Sequence, residues 1–493
     1  MKSKTDYRSR EKSGVAPGLD PSARRLPKEP RVLIIGGGFG GLALAKAAAK
    51  LPVRVTLVDR RNYHLFQPLL YQVATATLAP GDIAVPFREI FRGDRNVRFI
   101  QSEAMELDPE RRVVHLRSGR EPYDLLVVAT GSEDNDLRSS SWAAHSLPLK
   151  TVEDSIAIRA RVLAALETAE QQYADHNARG ALTTFVIVGG GPTGVELAGA
   201  LADLTQSTLR KNYRSIDARE AKIMLIQADD RLLPQYRPAL SYDAERRLRS
   251  LGVDVRISTR VVDIGRGYVL LDSQGKRERV LTATVMRAIG VRPSGLADLL
   301  RRRLNALSDA SGRILVTPRL ALLRSSDTST HQGPEDVFVI GDLAALDDGS
   351  GSPLPGQAPV AIQQGKYLAK YISARLQGKN IEPFRYRDAG QLAVIGRGAA
   401  VAQLPHVSLR GLPAWLIWAV VHLGQLIGFD NKLLVLGRWF WNYLTHQRQN
   451  MLITGELGSS SRLFGYHLPE LEIARSEDKT RPVELGTRKK VIP

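Results

Sequence analysis

The chain has 493 residues, room for about three domains at roughly 100–200 residues each. Hydrophobic residues make up 43% and charged residues 24%, a globular balance that excludes a disordered, fibrous or polytopic membrane protein. Cysteine is absent, which excludes disulfide frameworks, thiolate metal sites, cysteine-ligated iron–sulfur clusters and dithiol chemistry. Lys and Arg number 69 against 51 Asp and Glu, a net charge of +18 that draws anions. The basic pairs are scattered (Arg24-Arg25, Arg60-Arg61, Arg246-Arg247) and no nucleic-acid-binding signature accompanies them, so no nucleic acid is expected as partner.

Residues 1–30 are rich in Lys, Arg, Ser, Pro and Gly and hold too little apolar surface to offset their ordering entropy, which predicts a disordered arm. The arm has no apolar run of the secretory kind, and its acidic residues argue against a mitochondrial transit peptide. Val32-Leu33-Ile34-Ile35 then reads as a strand buried on both faces of a parallel sheet. Gly36-Gly37-Gly38-Phe39-Gly40-Gly41 follows, with a predicted helix over 42–51 and a second strand from Val53 ending at Asp59. The same order recurs: strand Thr184 to Val188, Gly189-Gly190-Gly191-Pro192-Thr193-Gly194, a predicted helix over 195–205, and strand Ile223 to Ile226. The Arg-, Ser- and Gly-rich stretches 265–280 and 308–335 read as hairpin loops or surface connections.

A single GxGxxG is weak evidence, but strand, turn, helix and a strand-end acid together are strong. Gly36 permits the tight turn, Gly38 clears the approach of a diphosphate to the backbone, and Gly41 lets the helix pack closely on the sheet. The helix N-terminus then binds the diphosphate and Asp59 accepts from a ribose. Two such units imply two dinucleotides. Leu125 to Gly131 and Thr284 to Gly290 are matching strands that end in small-residue turns, and Val337 to Asp342 delivers a carboxylate at the ligand-binding end of a parallel sheet.

The order of these motifs resembles the two-dinucleotide-binding flavoprotein reductases over roughly residues 31–372. Asn62 to Ala74 (NYHLFQPLLYQVA) is similar to a segment of the type II, non-proton-pumping NADH:quinone dehydrogenases, and Val186–Gly199 and Pro359–Gly365 point the same way. The resemblance implies an α/β fold with two Rossmann-like domains, one inserted in the other. Residues 31–150 and 300–385 would bind FAD, 151–299 would bind NAD(P)H, and 386–493 would attach to the membrane. It further implies that Gly36, Gly38, Phe39, Gly40, Gly41, Asp59, Arg60, Thr130, Gly131 and Asp342 hold FAD. Gly189, Gly191, Pro192, Thr193, Gly194, Gln227 and Gly290 would hold the nicotinamide dinucleotide. Glu196 would stand near flavin and nicotinamide, and a helix-start carboxylate that complements the dipole is the other, compatible role. Gln363, Gln364 and Lys366 are the polar candidates on the quinone side, with a plain helix-start role as the alternative for Lys366. His64 carries no catalytic role, and the scheme needs no metal.

Two departures from that family matter. Gln227 stands where an acidic residue should hold the NADH ribose; with Arg231 four residues on, looser discrimination is expected, with NADPH accepted alongside NADH. Pro359 stands where the first glutamine of an AQxxxQ string is expected and can offer neither an amide side chain nor an N–H, which bears on the choice of quinone.

Gly411 to Phe429 carries no charged residue, and four of the five tryptophans (Trp415, Trp418, Trp439, Trp441) lie within 27 residues. With basic residues exceeding acidic ones between Arg387 and Arg448, residues 411–448 are expected to lie in an anionic lipid interface, ahead of a homodimer interface or a true span. The resemblance implies peripheral, monotopic attachment at the cytoplasmic face of the inner membrane. The competing readings are an FAD enzyme with a non-quinone acceptor and a non-catalytic flavin sensor.

Overall fold

The computed structural model describes residues 26–135, 140–171, 176–209, 212–327, 336–349, 351–445, 448 and 450–453. Residues 1–25 of the expected arm and the tail from 454 lie outside the described residues. The last residues of the arm are ordered, contrary to expectation: Leu26 packs on the core and Glu29 pairs with Arg54 at 3.1 Å.

Two five-stranded parallel sheets carry the fold. In the first, Arg31–Ile35 lies between Arg54–Asp59 and Leu125–Val128, with Val97–Gln101 and Val337–Val339 at the edges. In the second, Thr184–Val188 lies between Lys222–Ile226 and Thr284–Arg287, with Val253–Arg256 and the short Leu147–Pro148 outside them. The apolar runs become central strands because both faces are covered, Phe185 and Ile187 by helices and Val186 and Val188 by Ile264, Val269 and Leu271 of a second sheet, so every residue from Thr184 to Val188 is buried.

The duplication extends further than the glycine turns. Each unit inserts a three-stranded antiparallel sheet between its edge strand and the strand that returns to the centre, at residues 104–122 in the first unit and 260–281 in the second. Residues 265–280 are therefore mostly paired strand. Lys276–Leu281 buries only Val280, so its charges line a solvated face and hide the strand pattern.

Both glycine-turn helices begin about one turn earlier than expected. They run Phe39–Ala48 and Pro192–Asp203, with Gly38 and Gly191 as N-caps. Pro192 at the first position has the φ a helix start needs, which sets that boundary. Helix Ala358–Leu376 lies across Phe39–Ala48, and contact is close because glycines face each other: a Cβ on Gly365 would come 2.3 Å from the Gly40 carbonyl oxygen. Pro359 sits in the first turn of this helix, where a missing N–H costs nothing.

The C-terminal region is a small antiparallel sheet, 391–411, followed by helices Leu412–Gln425 and Phe429–Thr445. The uncharged stretch is broken at 426–428, and among the described residues no helix is long and apolar enough to cross a membrane. Gly365→Ala should destabilise the protein by about 1–3 kcal/mol, because the obstructing atoms are backbone and cannot rotate away. Chemical denaturation checks it; a variant as stable as wild type would contradict the packing described.

Candidate functional site

The two turns superpose in detail. Gly36 has φ +104° and Gly189 φ +109°, and a Cβ on either would lie 2.4 Å from a carbonyl oxygen, that of Ala129 or Ala288. A Cβ on Gly41 or Gly194 would lie 1.9 or 1.8 Å from the carbonyl oxygen of Gly36 or Gly189. Gly38 and Gly191 instead face open space, with nothing within 4 Å of the built Cβ. Open space before an uncapped helix N-terminus is the cradle a diphosphate requires, so the residues present fit two dinucleotides. Gly131 and Gly290, with φ +64° and +83°, turn the neighbouring strands away at the same end.

The strand-end residues are equally paired. Asp59 accepts from the Gly37 N–H at 2.7 Å and the Arg61 N–H at 2.8 Å, so its carboxylate is fixed by main chain. Gln227 accepts from the Gly190 N–H at 2.7 Å, and its amide nitrogen donates to Asp229 at 2.7 Å. The position expected to be free of charge therefore has a carboxylate beside it. Arg60 pairs with Glu133 at 3.2 Å, and Arg231 donates to the Pro234 carbonyl at 2.9 Å.

Asp342 lies on the turn Gly341–Leu343 and accepts from the Ser132 hydroxyl at 2.7 Å, beside Thr130, which bonds Ser294 at 2.6 Å. Ser132 also accepts from the Lys150 ammonium at 3.1 Å. Burial lowers the Lys150 pKa, against the opposing charges of Asp342 and Asp134. Sequence reasoning missed this cation, whose partners come from distant segments.

Gln363 and Gln364 both have structural partners. Gln363 clasps Arg387 from both sides, its amide nitrogen donating to the carbonyl at 2.9 Å and its oxygen accepting from the N–H at 3.0 Å. Gln364 accepts from the Gly341 N–H at 2.7 Å, holding the turn that carries Asp342, and Lys366 is exposed. None of the three lines the cleft under the C-terminal helices, which is open to solvent and bordered by Tyr71, Gln72, Trp415, Trp418 and Trp439 together with Asp203, Arg397 and Arg448.

Glu196 lies in the second turn of its helix, so it does not complement the dipole at the helix start; the earlier helix start moves it inward. It is buried and, among the described residues, accepts only a long bond, 3.4 Å, from the Val394 N–H. Burial pushes its carboxyl up to about 8. Tyr71 and Tyr236 are raised as well, first by burial and then by the charge of Glu196. His64, by contrast, is held down to about 4 by burial and bonds the Gly37 carbonyl at 2.9 Å, a structural latch.

Three polar contacts pin the C-terminal helices over this region. Arg438 pairs with Asp82, the Trp439 indole donates to Gln72 at 2.7 Å, and the buried Arg448 donates to the carbonyls of Thr75 and Ala200. Three of the four clustered tryptophans serve this seam: Trp418 is 1% exposed and stacks on His422, while Trp415 and Trp439 pack on the same core. Only Trp441 stands outside, with Leu416, Val420, Leu433, Leu434, Leu436 and Phe440.

The raised Glu196 pKa has a definite sign. Its contribution to stability is fully present below the ordinary carboxylate value near 4.5 and falls as pH rises through about 8, since only the folded state keeps the proton in that window. Urea midpoints of wild type and Glu196→Gln should therefore shift in the variant's favour between about pH 5 and pH 9. A constant difference would count against a neutral buried carboxyl.

The sequence profile of the pyridine nucleotide-disulphide oxidoreductase family matches residues 30–365. The type II NADH:quinone oxidoreductase Ndh of Mycobacterium tuberculosis is 37% identical over 450 residues, covering 90% of this chain and 94% of that protein. The external NADH-ubiquinone oxidoreductase 2 of Saccharomyces cerevisiae mitochondria is 28% identical, covering 84% and 80%. Among solved structures, NDH2 from Plasmodium falciparum in complex with NADH superposes with a TM-score of 0.77 at 18% identity, over 87% of this chain and all of that one. The chain belongs to the pyridine nucleotide-disulphide oxidoreductase family and, within it, to the type II NADH:quinone oxidoreductases.

Proposed function

We propose that the chain is a peripheral membrane flavoenzyme that oxidises NADH and reduces a quinone without pumping protons. The observation that carries this reading is the duplicated glycine turn, open at Gly38 and at Gly191, in a chain without cysteine. In this reading residues 31–150 and 300–385 hold FAD through the turn Gly36–Gly41, Asp59, Thr130, Gly131 and Asp342. Residues 151–299 take NADH on Gly189–Gly194. FAD, when bound, supplies the two-electron relay between nicotinamide and quinone.

The chain's own residues do the rest. Asp59 and Gln227 hold the two turns rigid through Gly37 and Gly190, so the helix starts are preorganised for diphosphates. Gln364 fixes the turn that presents Asp342. Quinone reduction consumes protons, and Glu196, with a carboxyl pushed up to about 8, holds one at neutral pH on a buried oxygen. Tyr71 and the tryptophans give the cleft an apolar wall against which a quinone ring can lie.

The exposed face of the C-terminal helices carries Leu, Val, Phe and Trp side chains in one patch, with Lys432 beside it, which suits insertion into an anionic interface. A cytoplasmic-facing inner-membrane location follows from the family resemblance.

Anaerobic NADH should bleach the flavin absorbance of the purified protein, and a short-chain quinone should restore it. Protein that stays colourless after reconstitution with FAD, or a flavin that NADH leaves oxidised, overturns the reading. Replacing Phe440 and Trp441 together by Glu should weaken cosedimentation with anionic vesicles at least tenfold, since each side chain contributes about 1.5–3 kcal/mol on full burial. Unchanged binding would exclude this face as the lipid contact.

A further inference from the structure

In the first unit one residue does two jobs: Asp59 secures the turn by accepting from Gly37, and it brings a negative charge to the strand end. In the second unit the jobs are divided. The Gly190 N–H fixes which way the Gln227 amide faces, because only the oxygen can accept it. The amide nitrogen is thereby turned onto the Asp229 carboxylate at 2.7 Å. The loop that carries Asp229 is itself anchored: its carbonyl accepts from the Ser258 N–H at 2.8 Å, and the Gln227 carbonyl accepts from Thr259 at 2.9 Å. Gln227 is buried and Asp229 exposed, so the carboxylate stands on the solvent side of the amide, at the open end of the turn.

We infer that Asp229 is the residue that selects NADH over NADPH. Its carboxylate accepts from the hydroxyls of the adenosine ribose and repels a 2′-phosphate, the work done elsewhere by a strand-end acid. This rests on the reading of the second turn as the NADH site. It replaces the expectation, drawn from Gln227 and Arg231, that both nucleotides are accepted. The Arg231 guanidinium is bonded to Pro234 within its own loop, and Arg256 at the same sheet edge is paired with Asp254 at 2.8 Å and Glu278 at 3.5 Å.

The test compares wild type, Asp229→Asn and Asp229→Glu on two readouts. The first is the NADH-to-NADPH ratio of kcat/KM. The second, independent of turnover, is calorimetric affinity for ADP-ribose and 2′-phospho-ADP-ribose. Wild type should favour the unphosphorylated ligand in both, Asp229→Asn should reduce each preference at least tenfold through tighter binding of the phosphorylated form, and Asp229→Glu should retain it. A wild-type ratio within threefold of unity, or a preference that survives Asp229→Asn, overturns the inference. If neither nucleotide is oxidised, the proposed activity fails, and the fragment affinities still decide whether Asp229 discriminates.

Discussion

At each strand-to-helix junction the third glycine faces a carbonyl oxygen of the first with room for a hydrogen and nothing larger. That steric limit seats the helix on the sheet, and seating the helix leaves its N-terminus open in front of Gly38 and Gly191. The Ala129 and Ala288 carbonyls repeat the restriction from the neighbouring strands, so three segments of each unit converge on one point. Asp59, His64 and Gln227 are fixed against these two turns through Gly37 and Gly190.

This explains what could be read from sequence. The glycines, the buried strands Val32–Ile35 and Thr184–Val188, and the strand-end polar residues are local signals, since each depends on neighbours within a few residues. Helix starts are not legible there because glycine and proline are poor interior helix formers, and only the cap geometry shows that Phe39 and Pro192 already belong to the helix. The 260–281 sheet was hidden because its outer strand buries a single side chain. Contacts such as Trp439 with Gln72, 367 positions apart, leave no periodic trace. Tryptophan clustering marks the C-terminal helices, yet three of those rings face inward and it is mainly Leu, Val and Phe that face out.

The segment 62–83 joins the parts. His64 and Phe39 couple it to the first turn, Tyr71 approaches Glu196 on the second helix, and Gln72, Thr75 and Asp82 receive the C-terminal helices. One short stretch thus touches both glycine-turn units and the inner side of the C-terminal helices.

The buried guanidinium of Arg448 has a consequence for how the molecule is made. Its acceptors, the carbonyls of Thr75 and Ala200, are translated hundreds of residues earlier and stay uncovered, with the groove around Tyr71, until the last sixth of the chain emerges. A chain ending before Leu412 would hold both parallel sheets yet leave that groove uncovered. The helices that close the groove also carry the exposed Leu, Val, Phe and Trp side chains, so one apolar surface is covered as another is presented.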